Sequence, residues 1–188
     1  MNIVALSGSN VGSKTRAAMD YTVNTVAQKY PETGVTLIDL ADFEIQFSDG
    51  RHFLDYEGDT QYVAKTIVEA DAIIIGTPIF QASIPATLKN IFDLLPQDGL
   101  RDKVVSVLVT AGSLTHFLIV EQQLKPILSY MKAQIVQDYV FIEEQNIHRK
   151  EITNDDVSLR IDRLVEDTVG LTETYMNMRK AQEEAYGF

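Results

Sequence analysis

Asn2-Ile3-Val4-Ala5-Leu6-Ser7-Gly8-Ser9-Asn10-Val11-Gly12-Ser13-Lys14-Thr15 is the stretch whose reading decides the fold. Ile3 to Leu6 is an apolar run too short for a helix and apolar on both faces, the pattern of a central parallel strand covered on both sides. Ser7-Gly8-Ser9 breaks the run, and Gly12-Ser13-Lys14-Thr15 leads into a helical pattern. Met19, Val23, Val26, Ala27 and Tyr30 fall on one face of that helix at spacings of three and four. A strand, a small polar loop and a helix start together form an anion site. Backbone N–H groups point at the ligand, hydroxyls add donors, and the helix dipole favours negative charge. Phosphate is the anion this chemistry suits.

Three readings compete for the loop. A tight turn with Ser13 or Thr15 as helix cap needs no ligand at all. The dinucleotide pattern G-x-G-x-x-G lacks its second and third glycines here. The nucleotide pattern G-x-x-x-x-G-K-[ST] is missed by one residue: Ser13 stands where the second glycine belongs, while Lys14-Thr15 is kept. The ends of the later strands must separate them.

Working outward, Val35 to Leu40 alternates as a second strand, and Ala41 to Asp59 is a long polar and aromatic excursion carrying Phe43, Phe47, Phe53 and Tyr56. Val63, Thr66, Ile67 and Ala70 mark a short helix before a third strand, Ala72 to Gly76. Ile84-Pro85 opens the next helix, with Leu88, Ile91, Phe92 and Leu95 on its buried face. Val104 to Val109 is the fourth strand and ends in the small-residue loop Thr110-Ala111-Gly112-Ser113. Phe117 to Met131 reads as a helix kinked at Pro126, and Ile135 to Ile142 as the fifth strand. Asp155 to Lys180 reads as one long helix, with a seam of Val157, Ile161, Leu164, Thr168, Leu171, Tyr175 and Met178.

Strands alternating with helices predict an α/β fold: a single domain spanning 1–188, doubly wound on a five-stranded parallel sheet of order 2-1-3-4-5. In that order the loops after strands one, three and four are neighbours, and these are the loops rich in Ser, Thr and Gly. With 188 residues, 45% of them hydrophobic, the chain is long enough to bury a core of that size. No cysteine is present, which excludes thiolate catalysis and Cys-based metal sites. A net charge of −11 argues against nucleic acid or an anionic membrane as partner. The chain enters a strand within three residues, with no basic region ahead of an apolar signal core, so cytoplasmic residence is expected.

Gly76-Thr77-Pro78-Ile79-Phe80-Gln81-Ala82-Ser83-Ile84-Pro85-Ala86-Thr87-Leu88-Lys89-Asn90-Ile91-Phe92-Asp93 resembles the NAD(P)H-dependent FMN reductases of the flavodoxin-like superfamily. Their pattern is Thr/Ser-Pro, an aromatic, then a small-residue run into a Leu-Lys-Asn-x-x-Asp helix. Leu124-Lys125-Pro126 and Lys132-Ala133-Gln134 are similar to the flavin-supplying reductases of two-component alkanesulfonate monooxygenases. The resemblance implies FMN as cofactor, with NADPH or NADH as co-substrate. Ser9, Ser13, Lys14 and Thr15 would then hold the phosphate, with Arg16 nearby. Pro78, Ile79, Phe80 and Gln81 would wall the ring, and Thr110, Gly112 and Ser113 would border its pyrimidine edge.

Hydride transfer belongs to the flavin, so no side-chain acid, base or metal is required. Acceptors would be flavin, quinone, azo or similar small molecules, with a flavin-dependent monooxygenase as a possible partner. The nucleotide-hydrolase rival lacks an acid for magnesium at Gly76-Thr77 or Thr110-Ala111. A flavodoxin-type electron carrier is the other rival, and NAD(P)H oxidation separates it from a reductase. The alkanesulfonate-type reductases carry a tyrosine, associated with exchangeable flavin, where this chain has Gln122. Firmer retention of FMN is expected in its absence. The apolar faces of the last two helices, together with the resemblance, imply a homodimer or homotetramer.

Overall fold

Strand β1 (Asn2–Ser7) lies between β2 (Gly34–Asp39) and β3 (Ala72–Pro78) in the computed structural model, which describes residues 1–186. β3 pairs with β4 (Val104–Ala111), and β4 carries two short edge strands, β5 (Gln134–Ile135) and β6 (Val140–Glu143). All of these pairings are parallel, in the order β2-β1-β3-β4-β5. That is the flavodoxin-like order read from the sequence. A small antiparallel hairpin, β7 (Ile147–His148) with β8 (Glu151–Ile152), stands apart from the sheet.

Parallel pairing requires crossovers, supplied by α1 (Lys14–Lys29), α2 (Gly58–Glu69), α3 (Ala86–Leu94) and α4 (Lys125–Tyr130), with α5 (Asp155–Tyr186) closing the chain. Successive strand residues point to opposite faces. Ile3, Ala5, Ala72 and Ile74 therefore join Met19 and Val26 of α1 and Val157, Ile161 and Leu164 of α5 in one core. Val4, Leu6, Ile73 and Ile75 join Val63 and Ile67 of α2, Leu88 and Ile91 of α3 and Leu128 of α4 in the other. The chain leaves β1 toward β2 on one side and returns through β3 on the other. The crevice beyond the carboxyl ends of β1 and β3 is thus the topological switch point, where such sheets take their ligands.

Three readings change, and a fourth gains detail. The fifth strand is two strands, because β4 advances from Val105 to Leu108 while its partner advances from Ile135 to Val140. Two extra residues bulge out there, and Lys125 Nζ holds the Gln137 carbonyl at 3.0 Å. The helix expected from Phe117 is interrupted as well. Pro126 has no N–H to give the Gln122 carbonyl, and Lys125 N donates five residues back to Val120 O, forming a single π-turn, Val120–Leu124, ahead of α4. α5 runs to Tyr186, and its buried face follows Val157, Ile161, Leu164, Val165, Thr168, Val169 and Thr172. Leu171 and Met178, placed on the seam by the sequence reading, are exposed. Finally, the Ala41–Asp59 excursion is largely anchored. Tyr56 is buried with its hydroxyl donating to Asp49 Oδ1 at 2.8 Å, and Asn90 bonds Ser48 N and Gln46 O, both at 2.9 Å. Among the described residues no helix is long and apolar enough to cross a membrane.

Candidate functional site

Four hydrogen bonds draw the loops after β1, β3 and β4 together at the switch point. Gly8 N donates to Gly76 O at 2.7 Å, Thr87 Oγ1 donates to Gly8 O at 2.9 Å, and Ile79 N donates to Thr110 O at 3.2 Å. The hydroxyls of Thr15 and Thr110 lie 2.7 Å apart, both buried. Gly8 is a requirement of this closeness: a Cβ there would stand 3.1 Å from Leu88 Cβ and 3.2 Å from the Gly76 carbonyl.

Within the first loop the hydroxyls divide into two kinds. Ser9, buried, donates to Val11 O at 2.7 Å and accepts from Val11 N at 3.2 Å, so it shapes its own loop. Thr15 is taken by Thr110. Ser13 caps α1 with its backbone only, its hydroxyl making no capping bond, and it is exposed beside Gly12 at φ +84°. The N–H groups of Lys14, Thr15 and Arg16 lie in the first turn, where an α-helix offers them no carbonyl. No acid stands in that turn to occupy them. Unpaired N–H groups and one free hydroxyl make this a candidate anion cradle.

The two nearby cations are engaged elsewhere. Lys14, expected at the phosphate, donates instead to Ile147 O at 2.5 Å and Glu144 O at 3.3 Å. Its ammonium ties the start of α1 to the chain after β6, carbonyls that only the last crossover brings within reach. Arg16 bonds Asp39 and Asp20 at 2.9 Å and Asp42 at 3.0 Å. Those carboxylates, Asp39 foremost, hold its pKa well above the ordinary arginine value. Three acids around one guanidinium leave no net positive charge to attract an anion, so the backbone donors dominate the cradle.

The loop after β3 supplies a wall. Pro78 ends the strand buried, Ile79 is half-buried, and Phe80 is 39% exposed. Phe80 N donates to Ser83 O at 2.9 Å and Ser83 N donates to Phe80 O at 3.0 Å. Between them Gln81 has φ 49° and Ala82 φ 60°. Two consecutive positive φ values make this a primed turn of the kind Asn-Gly usually forms. With side chains at both positions the left-handed backbone costs about 1–2 kcal/mol per residue.

The loop after β4 is exposed from Gly112 to Leu118, and a Cβ at Gly112 would point into open space. Ser113 Oγ lies 3.0 Å from Thr115 Oγ1 and caps the short turn Leu114–His116. A cavity of about 280 Å³ opens between Ala82, Thr115–Ile119 and Gln122.

Residues 1–146 match the NADPH-dependent FMN reductase family. The chain belongs to that family. The NAD(P)H-dependent FAD/FMN reductase of Geobacillus thermodenitrificans is 36% identical over 170 residues, covering 90% of this chain and 92% of its own. The NADH-dependent FMN reductase SfnE of Pseudomonas putida is 24% identical over 181 residues, covering 96% and 97%. The crystal structure of the NADH:FMN oxidoreductase EMOB superposes with a TM-score of 0.74 at 27% identity, over 88% of this chain and 86% of that one.

As a member of an FMN reductase family the chain is an oxidoreductase, and the nucleotide-hydrolase reading of Gly8 to Thr15 falls away. Thr87 is a residue at this crevice that sequence reasoning passed over. It sits inside the quoted Gly76–Asp93 motif, but its bond to Gly8 O joins positions 79 apart and leaves no trace in local spacing.

Proposed function

We propose that this chain holds FMN across the loops after β1, β3 and β4 and passes hydride from NAD(P)H through it to a second small acceptor. The observation that carries the reading is the cradle at the start of α1, with the Ser13 hydroxyl free, in the same crevice as the Pro78–Ser83 wall. When bound, FMN supplies the hydride chemistry; the protein supplies binding, orientation and electrostatics. Ser13 Oγ and the N–H groups of Lys14 and Thr15 bind the phosphate. Ser9, Thr15 and Thr110 keep the loop in shape through the bonds described above, and Lys14 anchors its helix from the far side. Pro78, Ile79, Phe80 and Gln81 form one wall of the ring site. Gly112 and Ser113 let the backbone approach the pyrimidine edge.

The acceptor in this reading is a flavin, quinone or azo compound taken at the open face near Phe80. With Gln122 in place of a stacking tyrosine, FMN stays on the protein through turnover, and donation of free reduced flavin to a monooxygenase is secondary. Protein purified from the cytoplasmic fraction should be yellow and retain FMN through dialysis. It should oxidise NADH or NADPH with an acceptor and no added flavin. Complete loss of FMN, with activity only when free flavin is the substrate, would return it to the flavin donors. Absence of any NAD(P)H oxidation would leave an electron carrier.

A homodimer or homotetramer, with 1–188 as one flavin-binding domain, completes the proposal. Leu114, Phe117 and Leu118 are exposed at or beside the cavity, and Leu171, Met176 and Met178 are exposed on α5. Apolar groups grouped in this way suit burial against another copy. Light scattering should give at least twice the 21.1 kDa chain mass. A monomer throughout the micromolar range would overturn the oligomer.

A further inference from the structure

Gln123 lies 40 residues from Ser83, yet its side-chain amide meets the primed turn at three points. Ser83 Oγ donates to Gln123 Oε1 at 2.7 Å, and Ile84 N donates to the same oxygen at 3.4 Å. Gln123 Nε2 in turn donates to the Ala82 carbonyl at 3.4 Å. The turn needs holding: Gln81 and Ala82 both adopt positive φ without being glycine. A turn of this shape made from Gln-Ala is not favoured by its own residues.

The π-turn explains how one amide comes to sit there. Because Pro126 forces the Lys125 N to Val120 O closure, Val120–Leu124 is a single widened turn rather than part of a regular helix. Gln122 then lines the cavity together with Ala82, and Gln123 takes the turn itself. Both glutamines serve one loop.

We propose that Gln123 is a positioning residue for the flavin ring. It holds Phe80–Ser83 in the strained conformation in which Phe80 and the turn backbone form the ring wall. The phosphate cradle on α1 has no bond to Gln123 and is independent of it. This inference rests on the FMN reading above and adds a residue to it.

The test compares wild type, Gln123→Leu, Ala82→Gly and the double variant, measuring FMN affinity, the absorption band of bound flavin and thermal midpoint. Gln123→Leu should weaken FMN by roughly tenfold, equivalent to about 1.4 kcal/mol, and shift the band. Ala82→Gly removes the side chain that disfavours positive φ, so the double variant should recover to within about threefold with the band restored. A lowered midpoint with unchanged affinity and band would show a merely structural role and overturn the proposal. Weakened binding that glycine fails to restore would overturn it equally. Should Gln123→Leu not fold, Ser83→Ala removes the shortest of the three bonds, and the same shift and glycine rescue are expected. Wild-type protein that takes no FMN would instead defeat the FMN reading itself.

Discussion

FMN should bind at least about a hundredfold more tightly than riboflavin, which lacks only the phosphate. Two hydrogen bonds to an ionised phosphate, from Ser13 Oγ and one N–H of the first turn of α1, contribute about 1.5–3 kcal/mol each. Their sum of about 3 kcal/mol or more is roughly two decades in affinity. The net charge of −11 opposes this, but its reach is limited. At physiological salt the screening length is about 8 Å, whereas the cradle donors act at about 3 Å. Local donors therefore win. Ser13→Ala should weaken FMN by about ten- to a hundredfold through the same bond strength and leave riboflavin unchanged. Fluorescence titration of both flavins against both proteins checks this. Equal affinity for FMN and riboflavin in wild type would place the phosphate elsewhere.

Gly76→Val should lower stability by about 3 kcal/mol and take FMN affinity down with it. A Cβ at position 76 would collide with Met19 Sδ and stand 3.2 Å from Thr15 Cγ2, so the buried Met19 side chain, or α1 with it, must shift. α1 carries the cradle at its start, and Thr15 is the residue that ties it to β4. For a chain of this size that loss moves the thermal midpoint by roughly 6–12 °C. The contact itself is tested by Gly76→Ala in a Met19→Ala background. Met19→Ala alone costs about 2–5 kcal/mol by leaving a cavity. The double variant should cost clearly less than the sum of the singles in urea unfolding, since each change makes room for the other. Strict additivity would mean that the two residues do not compete for the same space.

How much of the site was legible varies with the kind of residue. Gly8, Gly12 and Ser13 declared themselves locally, because a loop between an apolar run and a helical pattern constrains its own backbone. Ser9, Thr15 and Thr110 stand out by residue type, but their hydroxyls bond within the protein itself. Ser9 finds its partner two residues on at Val11, whereas the Thr15–Thr110 pair depends on an approach of α1 to β4 across 95 residues. Lys14 was assigned by proximity in sequence to a phosphate loop, yet its side chain follows the carbonyls of Glu144 and Ile147. Gln123 carried no signal at all, since its three bonds run from the crossover after β4 back to the loop after β3.

What the sequence by itself determined was the order and nature of the elements. Double-sided apolar runs such as Ile3–Leu6, Ala72–Gly76 and Val104–Val109 are strands whichever neighbours they find, because their residues need cover on both faces. The period of the helices and the hydroxyl-rich loops between them follow from the same short-range rules. Only the tertiary structure decided the rest. The split of the last strand at Gln137-Asp138 is a matter of register against β4, and an apolar period of two continues across an insertion of two without showing it. The strain at Gln81-Ala82 is likewise invisible to local preference, which disfavours that turn. It persists because Gln123, placed by the proline-induced π-turn far along the chain, supplies the bonds that offset it.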